Sequence, residues 1–420
     1  MNEQGQMMTK QIAREQLQLW RNMMHLRPDD TDVMQNVASC LFTLGDSDES
    51  VKLYESAYAL NTGSSGIAMN YGMVLKDMAK FGRSGEVVHH AFSIDPDFFY
   101  LRLGWAESLL RNGNWRDAWP LYQEARPATK QGARNTYQIP DGVPEWQGEA
   151  LIAPNNRLIV LGEGGTGDRI TYSRWLPELT KRGIQWVYAP DNIPPIPGAL
   201  PLFCRVPWLK DRVPTSQPFE YTHWTTVFSL PACFDAIPTA IPEYPSWFLP
   251  NPDLVGRYRF KFDDGKPVYG LIWGANELFE GGMKFRSIKD SQIMRLVLET
   301  RDLCHWINCW AGDAHGNEYA LGKPVINPIF TTWDETAALL SNMDAVVTTD
   351  NGAGWLAQAL GKPTSLLLSG NSDWKFLRGT AKSYWHKRTR LFRNDGQGFD
   401  NAIDKLIAAI QNGEGVGRCV

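Results

Sequence analysis

A glycine-rich loop that ends in a carboxylate is the first candidate for chemistry. The stretch VLGEGGTGDRITYSRW, residues 160–175, follows an apolar run and contains G-x-G-x-x-G at Gly162, Gly164 and Gly167, with Asp168 directly after it. Glycines at this spacing are typical of a loop that holds a dinucleotide pyrophosphate. Asp168 would place an acid at the carboxyl end of a strand, where α/β enzymes keep catalytic groups. An aspartate that caps a helix is the competing interpretation.

A second turn has the features of an anion site. In VVTTDNGAGWLAQALGKP, residues 346–363, a strand is predicted to end near Asp350 and a helix to begin within NGAG. Asn351 and Gly352 allow a ligand to approach the backbone, and the N–H groups that open the helix suit a diphosphate. Asp350 would accept a hydrogen bond from a sugar hydroxyl. An ordinary strand–turn–helix with a capping aspartate explains the same residues.

Cations and a tryptophan follow two further predicted strands. The stretch GLIWGANELFEGGMKFRSI, residues 270–288, presents Lys284 and Arg286, and cations that face helix starts suit a diphosphate leaving group. The stretch LLLSGNSDWKFLR, residues 366–378, places Trp374 where it would form the wall of a nucleotide or sugar pocket. Solvated cations and a buried tryptophan are the alternatives.

The elements around these residues predict parallel sheets. From residue 151 on, short β-rich runs alternate with helical ones, which is typical of sheets covered by helices on both faces. The proline-rich stretch 191–252 divides this region into two α/β halves, about 151–250 and 251–420, with a cleft between them. Residues 128–150 are polar and rich in Gly and Pro, which predicts a linker or a covering strap.

An internal period marks the N-terminal segment, residues 1–127. Pro28, Thr62 and Pro96 occupy equivalent, evenly spaced places, with two helical apolar patterns between each pair. A helix–turn–helix that recurs every ~34 residues matches the tetratricopeptide repeat (TPR). We expect three units and a degenerate fourth over residues 1–29. Such a stack usually offers a concave docking surface, and a spacer that packs on the next domain is equally compatible.

Composition excludes several classes of protein. The net charge of −4 provides no basic field for nucleic acid or an anionic membrane. Six scattered cysteines without a C-x-x-C pair favour buried thiols over a metal site or a disulfide framework. Neither a signal peptide nor an apolar run of roughly 20 residues is present, so we expect a soluble cytoplasmic protein without a membrane span.

Taken together, the motifs resemble a known family. The repeats, the PEWQGE stretch that follows them, the E-x-G-x-G-D loop and the segment D-x-x-x-x-x-L-A-x-A-L-G-x-P look like TPR-linked glycosyltransferases. The C-terminal part is similar to heptosyltransferases. The resemblance implies an α plus α/β protein, in which TPR-like helical repeats precede a GT-B-like pair of Rossmann-type domains. It covers essentially the whole chain.

The resemblance also implies roles for individual residues. Asp168 would be the general base, and the donor and its diphosphate would be bound by Lys284, Arg286, Asp350, Asn351 and Gly352. The supporting residues would be Glu163, Gly164, Gly165, Gly167 and Trp374. The chain departs from the family at Trp355, where histidine is common, and this change would remove a donor near the diphosphate. It also departs at Gly164, where the family has glutamine, and at Asn351 and Gly352, where it has Thr or Ser.

The implied reaction is an inverting, metal-independent transfer of a sugar from a nucleotide-diphosphate donor to a hydroxyl of a glycan or protein, without a further cofactor. The acceptor would dock on the TPR groove. Two alternatives stay open. Trp355 is compatible with a non-catalytic TPR scaffold that carries a decayed transferase domain. The G-x-G-x-x-G spacing is compatible with an NAD-dependent oxidoreductase in which Asp191, after the next strand, would bind the ribose.

Overall fold

The chain forms two compact units, one that ends at Ala125 and one that begins at Arg126. The computed structural model describes residues 10–153, 155–190, 199–209, 212, 220–274, 286–310, 321–370, 372–394, 398–414 and 416. Within this part of the chain, no helix combines the length and the apolar character that crossing a membrane requires.

The first unit is a stack of helical hairpins, and this confirms the predicted TPR-like repeats. Its helices are α1 (Lys10–Leu26), α2 (Thr31–Leu44), α3 (Ser47–Leu60), α4 (Ser65–Asp77), α5 (Phe81–Ile94), α6 (Phe99–Arg111) and α7 (Trp115–Glu124). The first helices of the pairs begin at positions 31, 65 and 99 and the second helices at 47, 81 and 115, so the pairs recur at a constant spacing. Of the predicted fourth unit, the described part is the single helix α1.

Small residues at one repeat position let the paired helices approach. Ala38 and Gly72 occupy equivalent positions in successive repeats, and the backbone carbonyl of each accepts a hydrogen bond of 2.7 Å from a serine hydroxyl on the next helix, Ser50 and Ser84 respectively. A Cβ at Gly72 would lie 2.5 Å from Val88 Cγ2. The period in the sequence therefore reflects a repeated close contact between helices.

The second unit begins with a three-stranded parallel sheet, which we call the first lobe. Its elements are α8 (Pro127–Thr136), β1 (Arg157–Leu161), α9 (Thr166–Tyr172), α10 (Leu176–Lys181), β2 (Gln185–Ala189), α11 (Ala199–Cys204), β3 (His223–Thr226) and α12 (Leu230–Cys233). The strand order is β2-β1-β3. Strands β2 and β3 each pair in parallel with β1, as the alternation of β-rich and helical runs in the sequence predicts.

The segment 128–150, which the sequence analysis assigns to a linker or strap, lies over the first lobe and contains α8. Ala133 of this helix packs in one cluster with Ile159 and Val187 of the sheet. Further on, the Trp146 N–H donates to the Trp224 carbonyl at 2.7 Å. The sequence of this helix is polar because only one of its faces is buried, so it has no apolar pattern that would predict a helix. Its clearest sequence signal is the proline at the first helical position.

The second lobe, residues 252–416, is built on a five-stranded parallel sheet. Its elements are α13 (Pro252–Val255), β4 (Val268–Ile272), α14 (Asp290–Thr300), β5 (His305–Asn308), α15 (Trp333–Ser341), β6 (Ala345–Thr348), α16 (Gly352–Ala359), β7 (Thr364–Leu368), β8 (Thr389–Arg393) and α17 (Asp400–Gln411). The order is β5-β4-β6-β7-β8. On one face, α14 and α17 bury a core that includes Leu271, Ile293 and Leu406. The predicted α/β region with parallel sheets is thus confirmed.

Candidate functional site

The two lobes meet where helix α9 and helix α16 begin. A Cβ on Gly167 would lie 2.7 Å from the Cα of Gly352 and 3.3 Å from Trp355 Cδ1. A Cβ on Gly352 would lie 2.9 Å from Trp333 Cη2. Glycine at 167 is therefore required for the approach of one backbone to the other, and glycine at 352 leaves room for the Trp333 ring. The turn after β1 and the turn after β6 lie together at the carboxyl ends of the two sheets and are in contact.

Asp168 lies one residue from this contact, and its side chain takes part in the cap of α9. As the third residue of α9, it accepts a hydrogen bond from the Gly165 N–H to Oδ2 at 3.3 Å. Its Oδ1 lies 3.6 Å from Lys375 Nζ, and 34% of the side chain remains exposed. Burial is the largest of the effects that raise the pKa of Asp168, and the nearby carboxylates Asp373 and Asp350 raise it further against Lys375.

Lys375 is a buried cation that the sequence analysis does not single out. Its side chain is 7% exposed, and its Nζ lies 3.1 Å from Asp373 Oδ2. Asp373 Oδ1 also accepts the backbone N–H of Lys375 at 2.9 Å. Burial opposes the charge of the lysine, but Asp373 and Asp168 outweigh it and raise the pKa of Lys375 well above its ordinary value. Burial likewise opposes the charge of Asp373, yet the lysine and Arg286 hold its pKa below the usual range.

Asp350 is held from two sides. Trp355 Nε1 donates to Asp350 Oδ1 at 3.1 Å, and Arg286 Nη1 lies 3.6 Å from Oδ2. The indole ring of Trp355 stacks on Phe376 with ring centres 5.7 Å apart. Trp355 therefore supplies an N–H donor at this position, and this donor is directed at Asp350. Asp350 itself is 8% exposed, so its carboxylate is fixed rather than free to reorient.

Asn351 and Gly352, assigned to the diphosphate by resemblance, both have structural contacts. Asn351 caps α16, because its Oδ1 accepts the Gly354 N–H at 2.7 Å. Its Nδ2 donates to the Gly274 carbonyl at 3.1 Å. Gly352 is covered by Gly167 and Trp333, as described above. The Asn351 side chain thus holds the turn in place. The N–H groups of this turn lie at the start of α16, on the side that faces the first lobe.

The glycine-rich loop is anchored by a buried ion pair. Glu163 Oε2 lies 2.7 Å from Arg126 Nη1, both side chains are 5% exposed, and Arg126 also donates to Ser229 Oγ at 3.0 Å. Gly164 has φ +71°, and a Cβ there would lie 2.6 Å from Phe228 Cζ. Glu163 and Gly164 therefore shape the loop, while Gly165 and Gly167 set the position of Asp168.

Trp374 and Lys284 are the remaining predicted site residues. Trp374 is buried, packs edge-to-face on Trp385 at 6.1 Å and lies 5.7 Å from the Lys375 ammonium. It thus supports the lysine from the core. Lys284 lies outside the described residues. Among the described residues, no group of three or more His, Cys, Asp or Glu side chains is arranged to hold a metal ion.

Arg174 is a second contact that sequence reasoning missed. It is 1% exposed, and its guanidinium lies 4.5 Å from the centre of the Trp247 ring. It donates to the backbone carbonyl of Trp385 in the second lobe. Burial lowers the pKa of Arg174 to about 9. This arginine joins the start of α10 to the second lobe, and its only sequence signal is a cation within an apolar helical pattern.

The fold and site thus define a helical repeat unit followed by a parallel α/β unit with a charged interlobe site. No model of a known protein family matches the chain. Among curated proteins it is similar to protein FlbA of Caulobacter vibrioides (strain ATCC 19089 / CIP 103742 / CB 15), with 22% identity over 449 residues. The match covers 92% of this chain and 74% of FlbA.

Solved structures of MamA are similar to part of the chain. A crystal structure of MamA covers 27% of this chain and 67% of its own length, with 17% identity and a TM-score of 0.26. A MamA RS-1 ArsTM double mutant covers 30% of this chain and 74% of its own, with 13% identity and a TM-score of 0.27. TM-scores of this size do not establish a shared fold. The assignment of the repeats therefore depends on the constant spacing of the helix pairs.

Proposed function

We propose that this protein is an inverting, metal-independent glycosyltransferase whose two lobes form a GT-B pair. It would move a sugar from a nucleotide-diphosphate donor to a hydroxyl of a glycan or protein. The observation that carries the proposal is the position of Asp168 on the first lobe, opposite Asp350 and Arg286 on the second. A carboxylate with a raised pKa that is still 34% exposed suits a general base near neutral pH.

In the proposed reaction, Asp168 takes the proton of the acceptor hydroxyl while that oxygen attacks the anomeric carbon. The bond from this carbon to the diphosphate oxygen breaks, and the diphosphate leaves with the electron pair. Arg286 and the N–H groups at the start of α16 would stabilise the negative charge that develops there. Asp350 would accept a hydrogen bond from a hydroxyl of the donor sugar, since Trp355 holds its carboxylate in place.

The contact between Gly167 and Gly352 implies a conformational step. Because a ligand phosphate cannot occupy the space that the Gly167 backbone fills, the lobes must separate for the donor to reach the start of α16. Separation and closure of lobes are common in enzymes that exclude water from a reactive donor. We therefore propose that the described arrangement is a closed one.

A binding screen tests this proposal. The protein is heated with UDP-, GDP-, ADP- and dTDP-sugars and the matching nucleoside diphosphates, and we expect at least one donor to raise Tm. Arg286→Ala should abolish the shift, whereas Arg257→Ala, at an exposed arginine paired with Glu335, should retain it. The absence of a shift with every nucleotide would contradict the transferase proposal.

A non-catalytic scaffold is the second candidate, and one observation favours it. Gly352 is covered by Gly167, and Asp168 is already paired with Lys375, so the polar groups of the site are engaged by each other. In that case nucleotides would have no effect on Tm, and the repeat unit would carry the function by binding a protein. Exposed side chains such as Met73 and Tyr100, 44% and 48% exposed, are available for such a contact.

The NAD-dependent oxidoreductase has less support. Gly162 packs against the Pro190 carbonyl and Gly167 against Gly352, so these glycines have packing roles without a dinucleotide. Asp191 lies outside the described residues. Titration with NADH, followed by its fluorescence, separates this alternative from the transferase. Tight binding would favour the oxidoreductase.

A further inference from the structure

The contacts of Lys375 set it apart from an ordinary surface lysine. Asp373 binds both its backbone N–H, at 2.9 Å, and its ammonium, at 3.1 Å. The ammonium also lies 5.8 Å from the centre of the Tyr172 ring. With 7% of the side chain exposed, the cation has little access to water and is fixed in one direction. That direction is across the lobe boundary, towards Asp168 Oδ1 at 3.6 Å.

The other charges around Asp168 would not hold it ionised. Asp350 and Asp373 repel its negative charge, and Arg286 is the further cation among the described residues whose charge favours the ionised form. Arg286 is in turn paired with Asp350 at 3.6 Å. On the helix of Asp168, Arg169 donates to the Gly164 carbonyl, and in the loop before that helix Glu163 is paired with Arg126. In the described part of the chain, Lys375 is thus the cation in direct contact with the proposed base.

We propose that Lys375 is a positioning residue for Asp168: its ammonium, anchored by Asp373, holds the Asp168 carboxylate ionised and directed into the cleft. The inference depends on the proposed function, because the base has a role only if a hydroxyl is deprotonated there. A buried cation fixed by one carboxylate can stabilise a second without becoming mobile, since its own rotamer is already determined. In the reaction Lys375 itself would form and break no bond.

The test is an NMR titration of protein labelled with ¹³C at the aspartate carboxyl carbons. The Asp168 signal is identified by its loss in Asp168→Asn. We expect Lys375→Gln to move the titration midpoint of Asp168 upward by about one pH unit or more, since an opposite charge at this range has that effect. Lys375→Arg should retain most of the wild-type value. The matched control is Lys362→Gln, a lysine whose ammonium donates to the Ser341 and Met343 carbonyls away from the site.

A second measurement needs no change at Lys375. The ¹⁵Nζ signal of Lys375 in the unmodified protein should shift with the Asp168 midpoint, and this step should vanish in Asp168→Asn. An unmoved Asp168 midpoint in Lys375→Gln, or a Lys375 signal that does not respond to Asp168, would overturn the inference. Failure of the proposed function is seen separately. The wild type would then turn over no nucleotide sugar, while both NMR titrations could still be read.

The same variants give a kinetic readout. If donor turnover is found, Lys375→Gln should move the midpoint of the acid limb of the pH–rate profile to higher pH. The size of this move should equal the shift seen for the Asp168 midpoint by NMR. A structural role alone would lower the rate without moving the limb, and that result would also overturn the inference.

Discussion

At the scale of residues, Asp168 combines a stabilising contact with an unfavourable environment. Its carboxylate accepts the Gly165 N–H, yet burial and two neighbouring carboxylates raise its pKa. A group of this kind costs folding free energy once it ionises, because the ionised form is favoured in the unfolded chain. Side chains with pKa values perturbed in this way are common at functional sites.

The first prediction follows from the sign of that shift. Since the native pKa of Asp168 is raised, the stability it contributes is present at low pH and is lost as the pH rises through the native pKa. Asp168→Asn should therefore raise Tm at pH 8 by about 1–3 °C, and the gain should shrink towards pH 4. Asp302→Asn, at a side chain 92% exposed, is the control and should leave Tm unchanged. A loss of stability in Asp168→Asn at pH 8 would contradict this account.

Glu163 has the opposite character, because its charge is fully paired with Arg126. Glu163→Gln leaves the buried guanidinium without its counterion and should lower the free energy of unfolding by about 3 kcal/mol in urea. Glu220→Gln is the matched control, at a carboxylate 94% exposed and 3.9 Å from Arg157, and should cost less than about 1 kcal/mol. Equal losses in the two variants would show that the buried pair does not hold the loop.

At the scale of elements, the two helix starts carry the site. Helices α9 and α16 begin at the ends of strands in different lobes, and glycine at 167 allows their backbones to touch. Gly167→Ala should destabilise the protein by about 1–3 kcal/mol, since the new methyl group meets backbone on the other lobe. Gly132→Ala in α8, where a Cβ meets nothing within 4 Å, should instead be neutral or stabilising. Urea denaturation of the two variants decides the point.

The repeat unit offers an equivalent comparison. A Cβ at Gly72 would overlap Val88 Cγ2 at 2.5 Å, whereas a Cβ at Gly82 meets nothing within 4 Å. We expect Gly72→Ala to cost about 1–3 kcal/mol and Gly82→Ala to be neutral or stabilising, as measured by urea denaturation followed by circular dichroism. If Gly72→Ala were neutral, the close packing of α4 on α5 would not be the reason for a small residue at this repeat position.

Most of these elements are accessible from the sequence, and the exceptions have physical reasons. Long apolar runs predict β1, β4, β6 and β7, because strands buried on both faces are apolar throughout. Strand β3, with the sequence HWTT, carries no such run and is not predicted. The helical segment after β1 is divided into α9 and α10, with a tighter turn at 173–175 directly before Leu176-Pro177.

At the scale of the whole molecule, the chain comprises two compact units, and the repeat period alone predicts the first. The positions of Asp168 and Asp350 at strand ends also follow from the sequence. The pairing of Asp168 with Lys375 does not, because it joins residues that are distant in the chain and follow strands of two different sheets. Strand order sets such pairs, and a single sequence does not encode it in any local pattern.

The two units should also respond separately to damage. Because the division lies between Ala125 and Arg126, Gly72→Ala should lower hydrogen-exchange protection mainly in the repeats, and Glu163→Gln mainly in the α/β unit. Mass spectrometry of exchanged peptides measures this directly. Equal losses of protection across the whole chain in either variant would mean that the units unfold together.

The central claim, that the α/β unit transfers a sugar with Asp168 as base, is tested most directly by turnover. A nucleotide sugar that raises Tm is incubated with the wild type, Asp168→Asn and Asp302→Asn, and release of nucleoside diphosphate is measured with and without acceptor. We expect kcat to fall by about 10²–10⁴-fold in Asp168→Asn, with binding retained, and to be unchanged in Asp302→Asn. An unchanged kcat in folded Asp168→Asn would contradict the account.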